Sequence, residues 1–144
     1  MKYTEQEILD HLNSRNKETL MGTLEIEFVE VKEDKIVARM PVSPKVHQPD
    51  GVLHGGATVA LAETVGSVAS FLLIKDKDAE IQIRGIDIAA NHVKSVKDGY
   101  VYATATALHM GRTLQLWNIP VTNEQGELIS QVKLSTIALY KKLK

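Results

Sequence analysis

The sequence predicts an α+β fold, a curved antiparallel sheet of about six strands around one long helix. Three observations predict it. The only long helical segment after the N-terminus, Gly56 to Ile74, is rich in small residues (Ala57, Ala60, Ala62, Gly66, Ala69), so neighbouring backbone can approach it closely and wrap it. The remaining chain is mostly β-type runs separated by short turn signals. The order is helix, two strands, long helix, four strands, which a two-layer arrangement of helix on sheet accommodates.

Each element has its own signal. Thr4 reads as an N-cap, and Glu7 three residues later completes a capping-box pattern for a short amphipathic helix carrying Ile8, Leu9 and Leu12. Leu24, Ile26 and Phe28 alternate with charged residues and Val31 follows, so Thr23 to Val31 reads as a half-buried strand. Glu33-Asp34-Lys35 makes a polar turn, and Ile36 to Val42 is its hairpin partner. Pro41, Pro44 and Pro49 make Ser43 to Leu53 a loop. After the long helix comes a charged connection, Lys75 to Glu80, then strand runs at Ile81–Val96, Tyr100–His109, Thr113–Thr122 and Leu128–Tyr140. In the second of these, Val101, Ala103, Ala105 and Ala107 form a narrow face suited to a helix. Pro120 predicts an edge or a bulge within its strand. We read residues 1–144 as a single domain with residues 1–20 as an N-terminal helical extension. A sheet around one helix leaves its edges and other face uncovered, so an oligomer is expected.

Composition narrows the function classes. At 144 residues, 44% hydrophobic and 24% charged, the chain is an ordinary globular domain with a net charge of −1. That charge gives no attraction to nucleic acid or to an anionic membrane surface. With no cysteine, disulfides, thiolate catalysis and cysteine-ligated metals are excluded. No run of eighteen consecutive apolar residues and no apolar leader are present, so a cytoplasmic protein is expected.

Chemistry concentrates in HQPDGVLHGGATVALAETVGS, residues 47–67. Gly55-Gly56 opens a helix, where unpaired N–H groups and the positive dipole end favour developing negative charge. Glu63 lies seven residues beyond Gly56, about 10 Å along the helix at roughly 1.5 Å per residue. Ser67 follows four residues later on the same face, with Thr64 beside them. Spacing alone leaves two readings open, a working carboxylate or a solvent-facing one after a plain glycine helix start. If the helix is fully wrapped, an unpaired carboxylate on it is costly, which favours function. Two loop histidines, His47 and His54, without a carboxylate cluster argue against a metal site. The glycine pair lacks both the Walker lysine and the G-x-G-x-x-G spacing of nucleotide loops.

The stretch His47 to Gly56 followed by Ala62-Glu63 closely resembles the hotdog-fold acyl-CoA thioesterases, specifically their aryl-CoA branch. The resemblance extends to Gly66-Ser67, Asn91-His92 and His109-Met110-Gly111-Arg112, and covers about residues 20 to 140. It implies a hotdog fold. It also implies homodimers with sheets joined edge to edge, commonly paired into homotetramers, with active sites at the subunit interface. The implied reaction is hydrolysis of an aromatic acyl-CoA, with coenzyme A part of the substrate and no separate cofactor. By the same resemblance the Gly55 N–H is the oxyanion donor with Gly56 close behind, and Glu63 is the general base or the nucleophile. Gln48 orients the thioester or the water, His54 helps fix the carbonyl, and Ser67 contacts the acyl group or the water. His92 and Val93 line the pantetheine channel, and Met110, Gly111 and Arg112 form a phosphate-binding turn. Apart from the resemblance, Lys94 and Lys97 are further candidate cations or simply solvated charges near strand ends, and Arg84 is one with no motif behind it. Asp50, where relatives carry an apolar residue, and Val93-Lys94 depart from the branch and bear on substrate choice. A hotdog dehydratase would carry a His-Phe-Pro-Gly loop, which is absent, and a non-catalytic acyl-CoA-binding module would lack the helix carboxylate.

Overall fold

The computed structural model describes residues 2–74 and 79–142. Helix α1 (Glu5–Ser14) starts as its capping box dictates. The Thr4 hydroxyl accepts from the Glu7 N–H at 3.1 Å, and the Glu7 carboxylate accepts from the Thr4 N–H at 2.8 Å. Leu9 is buried, and Asn13 ties the helix down by exchanging two hydrogen bonds with the Phe28 backbone. The strand expected from Thr23 begins four residues later. Leu20–Thr23 form a short helix, α2, and Glu25 reverses the chain at φ 57°. The Ile26 N–H then returns to the Met21 carbonyl, so these peptide groups complete a helix end instead of a ladder.

Strands β1 (Glu27–Val31), β2 (Ile36–Pro41), β3 (Ala79–His92), β4 (Tyr100–Met110), β5 (Leu114–Thr122) and β6 (Leu128–Lys142) form one antiparallel sheet in the order β1-β2-β4-β5-β6-β3. Of the expected connection at Lys75 to Glu80, residues 75–78 lie outside the described residues, and Ala79 and Glu80 already belong to β3. β3 ends at His92, short of the expected Val96, because the N–H groups of Val93 and Lys94 both turn to the Ile129 carbonyl. Pro120 sits in an interior strand, opposite Gln131 of β6. It is tolerated there because the β4–β5 pairing passes from Ala103↔Val121 to Thr106↔Asn118, leaving the proline without a partner on β4 while it keeps its place beside β6, and a register shift follows at Val121/Thr122.

The long helix α3 (Gly55–Leu73) lies against the sheet's inner face. Leu61, Ala62, Val65, Gly66 and Ala69 are buried on its sheet side, against Val101, Ala103 and Ala105 of β4, Trp117 and Ile119 of β5 and Leu134 of β6. Ala107, the fourth member of the narrow β4 face, is exposed because a register shift follows it. The small residues are required by this closeness: a Cβ on Gly66 would come within 2.5 Å of Leu134 Cδ2 and 2.8 Å of Ile119 Cδ1. By length and a mean hydropathy of 1.5, α3 could cross a membrane, yet its apolar side is the one that packs on the sheet. Helix and sheet are also joined by buried hydrogen bonds. The Trp117 indole N–H donates to Ser70 Oγ at 2.7 Å, Ser70 and Thr136 share a hydrogen bond of 2.6 Å, and Thr136 donates to Gln115 Oε1 at 2.9 Å.

Candidate active site

The loop before α3 is held in shape by its own polar groups. A 3-10 turn over Pro44–Val46 leads to an isolated bridge between His47 and Leu53. Gly51 takes φ 78°, the left-handed conformation that closes the intervening turn. The Gln48 N–H donates to the Val52 carbonyl at 2.8 Å, while its side-chain Oε1 accepts from the Asp50 N–H at 2.8 Å. His47 faces away, its Nε2 hydrogen-bonded to the Lys97 carbonyl, and is a structural histidine.

His54 is the N-cap of α3, and its Nδ1 accepts from the Gly56 N–H at 2.8 Å. The Ala57 and Thr58 N–H groups go to the His54 carbonyl. Gly56 is therefore spent on capping, and the expectation that it stands beside Gly55 as a second donor is corrected. Among the described residues nothing accepts from the Gly55 N–H, which leaves one open donor at the positive end of a 19-residue helix.

That donor stands at a cleft of about 370 Å³ lined by Gln48, Gly55, Thr58, His92, Lys94 and Ser130, with Val93 on its wall. His92, at the end of β3, shares a 2.6 Å hydrogen bond through Nδ1 with the buried Ser130 Oγ. Its Nε2 would lie 2.6 Å from a Cβ on Gly55, so only glycine fits beneath this imidazole. Lys94 is paired with Glu127, whose carboxyl is held below its ordinary value first by the Lys94 hydrogen bond and then by that of Asn123.

Glu63 lies on the side of α3 away from the core and is exposed within one chain, against the expectation of a fully wrapped helix. Only the stripe through Thr58, Leu61, Ala62, Val65, Gly66, Ala69 and Ser70 is buried; Glu63, Ser67 and Phe71, four residues apart in turn, form an outer stripe. Thr64 does not join it chemically, because its hydroxyl donates to the Ala60 carbonyl at 2.7 Å. The Glu63 carboxylate rests on β3 beside Gly85.

Met110, Gly111 and Arg112 do not meet the cleft of their own chain. Along β6, Ser130 is opposite His92 whereas Ile137 is opposite Leu114, seven residues on and about 23 Å away at roughly 3.3 Å per residue. The Arg112 guanidinium lies over the Tyr140 ring at 4.0 Å. Sequence reasoning missed Ser130, Gly85 and Tyr140. Their only signal is strand register, which pairs residues far apart in the chain. Among the described residues no three His, Asp or Glu side chains gather as a metal-binding group.

Comparison with known proteins agrees with this fold. Residues 50–130, more than half of the chain, match the thioesterase superfamily model. The chain is 39% identical over 131 residues to the Escherichia coli 1,4-dihydroxy-2-naphthoyl-CoA hydrolase, covering 91% of this chain and 94% of that protein. It is 40% identical over 131 residues to the Cronobacter turicensis proofreading thioesterase EntH, covering 91% and 93%. Among solved structures, a Pseudomonas aeruginosa thioesterase superposes with a TM-score of 0.87 at 34% identity, covering 92% of this chain and 94% of that one. A Staphylococcus aureus thioesterase, at TM-scores of 0.79 and 0.78 and 37% and 36% identity, was solved as two alanine variants, one of a glutamate and one of a glutamine fifteen positions before it; the matches cover 85% and 83% of this chain and 99% and 97% of those. The chain belongs to the thioesterase superfamily and is a hotdog-fold thioester hydrolase of the acyl-CoA type.

Proposed function

We propose that the chain hydrolyses an aromatic acyl-CoA to the free acid and CoA in a site completed by two copies of the chain. The observation that carries this reading is the open Gly55 N–H at the cleft, at the positive end of α3. Attack on a thioester carbonyl places negative charge on its oxygen, and a donor fixed in advance stabilises that charge without reorganising. The C–S bond then breaks and CoA leaves as the thiol. Glu63 either takes a proton from the attacking water and passes it to the departing thiolate, or attacks the carbonyl itself to form a mixed anhydride that water then hydrolyses, regenerating the carboxylate and supplying the thiol's proton. Gln48, with its Oε1 held by the Asp50 N–H, has its amide N–H groups left for the substrate carbonyl or the water. The fifteen-residue separation of Gln48 and Glu63 equals that of the two residues replaced in the Staphylococcus aureus thioesterase, which supports giving them a shared task. His54 acts by capping, which keeps Gly56 occupied and Gly55 open.

Gly55 and Glu63 are eight residues apart, about 12 Å along the helix. The groups that hold and attack one carbonyl stand about 7 Å apart, or about 10 Å with a water between them, and Glu63 does not line the cleft at which its own Gly55 stands. The carboxylate of Glu63 is therefore assigned to the Gly55 of a second copy. The strand β3, beside which Glu63 lies, is long and its outer edge is unpaired in one chain, and antiparallel pairing of two such edges would join the sheets. That pairing also brings the Arg112 end of one copy alongside the His92 end of the other. Met110, Gly111 and Arg112 are thus assigned to the CoA of the second copy's cleft, and His92 and Val93 to the pantetheine arm of their own. Ser67 and the 54% exposed Phe71 continue the Glu63 stripe and offer a surface to an aryl group. A cytoplasmic site of action goes with this substrate.

The test follows thiol release from a panel of aroyl-, phenylacetyl- and fatty acyl-CoAs. Aroyl-CoA is expected to be turned over fastest, and Glu63→Gln to lower turnover about 10²- to 10⁴-fold with the fold and CoA binding retained. No turnover on any of the panel, or full activity in the variant, overturns the reading.

A further inference from the structure

Gly85 stands where Glu63 meets the sheet, and a Cβ built on it would lie 3.3 Å from Glu63 Cδ and 3.4 Å from its Cγ and Oε1. The contact is created by a β-bulge. β3 pairs with β6 in one register from His92↔Ser130 to Asp87↔Ser135 and in another from Gly85↔Thr136 to Ala79↔Lys142, with Ile86 as the extra residue. A bulge of one residue exchanges the two faces of a strand beyond it. Before the bulge, Ile88 and Ala90 face α3, both packed against the core cluster; beyond it the inner face carries Gly85, Ile83 and Ile81. With an unbroken register the inner face would carry Ile86, Arg84 and Gln82 instead. The Glu63 carboxylate would then meet a branched side chain, with a guanidinium two residues further along the same face. The bulge puts the bare backbone of Gly85 and the uncharged side chain of Ile83 there instead and sends Ile86 outward, where it is 54% exposed.

We propose that Gly85, presented by the Ile86 bulge, is a positioning residue for Glu63: it leaves the volume in which the carboxylate lies against β3, and it keeps Arg84 off the inner face. This rests on the assignment of Glu63 to hydrolysis made above. Because Glu63 is a flexible side chain outside the core cluster, an added methyl group displaces the carboxylate rather than the sheet. The substitution therefore separates activity from stability, since a Gly→Ala change inside a strand does not by itself weaken it.

The experiment compares Gly85→Ala with the wild type by thermal unfolding and by steady-state thiol release on the best acyl-CoA of the panel. The expected result is an unchanged Tm, a KM within about twofold and a kcat lowered about 3- to 10-fold, since the carboxylate has to give by a few tenths of an ångström where a full 1 Å misplacement costs about 100-fold. The shorter carboxylate in Gly85→Ala/Glu63→Asp is expected to recover part of the loss, so that the double variant is more active than the product of the two single effects allows. An unchanged kcat in Gly85→Ala, a loss that follows a fall in Tm, or multiplicative effects in the double variant would each overturn the proposal. Glu63→Gln separates the layers: an inactive Glu63→Gln beside a normal Gly85→Ala removes only the positioning role, whereas an active Glu63→Gln removes the assignment beneath it.

Discussion

Mixing two inactive variants tests the shared site directly. Gln48→Ala damages the loop half of the site, next to Gly55, and Glu63→Gln damages the helix half, about 12 Å along α3 from it. If each site takes its loop from one chain and its carboxylate from the other, a twofold dimer of one variant with the other has one site carrying both lesions and one carrying neither. Random exchange makes half of the dimers mixed, and half of the sites in those are intact. The mixture should therefore recover roughly a quarter of wild-type activity, from parents that each retain very little. The assay refolds the two chains together, carries a different tag on each to show that mixed species formed, and follows thiol release. Activity that stays at the mean of the two parents, with mixed species present, would refute the shared site. It would place Gly55 and Glu63 in one chain's chemistry despite their separation.

Two further outcomes are expected from side chains outside the site. Ser70→Ala leaves the indole N–H of the fully buried Trp117 without its acceptor and should cost about 1–3 kcal/mol of unfolding free energy in urea, with the hydrolytic rate of the folded enzyme unchanged; an unaltered midpoint would contradict it. Glu127→Gln removes a carboxylate that Lys94 and Asn123 hold below its ordinary value. Since the folded value lies below the unfolded one, its contribution is present above the unfolded value and is lost as pH falls through the folded one. The wild type should thus exceed the variant slightly in stability at neutral pH, and the gap should close toward acid in a pH series of denaturation curves. A gap that widens toward acid would show the sign to be wrong.

The element order, the capping box at Thr4 and the small-residue helix were legible in the sequence because each depends on residues within one turn or one strand of each other. The start of β1 was not, since the alternation of Leu24, Ile26 and Phe28 looks the same whether or not Leu24 ends a helix. Within the site, Gly55, Gln48 and His54 were legible as a loop followed by a helix start, but the division of labour between Gly55 and Gly56 was not. It depends on which N–H the His54 ring accepts, a matter of side-chain geometry. Glu63 stayed ambiguous for a deeper reason. Gly55 and Glu63 stand about 12 Å apart along one helix, and on the shared-site proposal they meet only between copies, which no spacing within the chain can show. The carboxylate lies against β3 beside the bulge, twenty-two residues later, and on the shared-site proposal the free edge of that same strand is what brings it a carbonyl to act on. One strand thus supplies both the room beside Glu63 and the surface on which a second copy can bring its Gly55, and a change that straightened β3 would remove both at once.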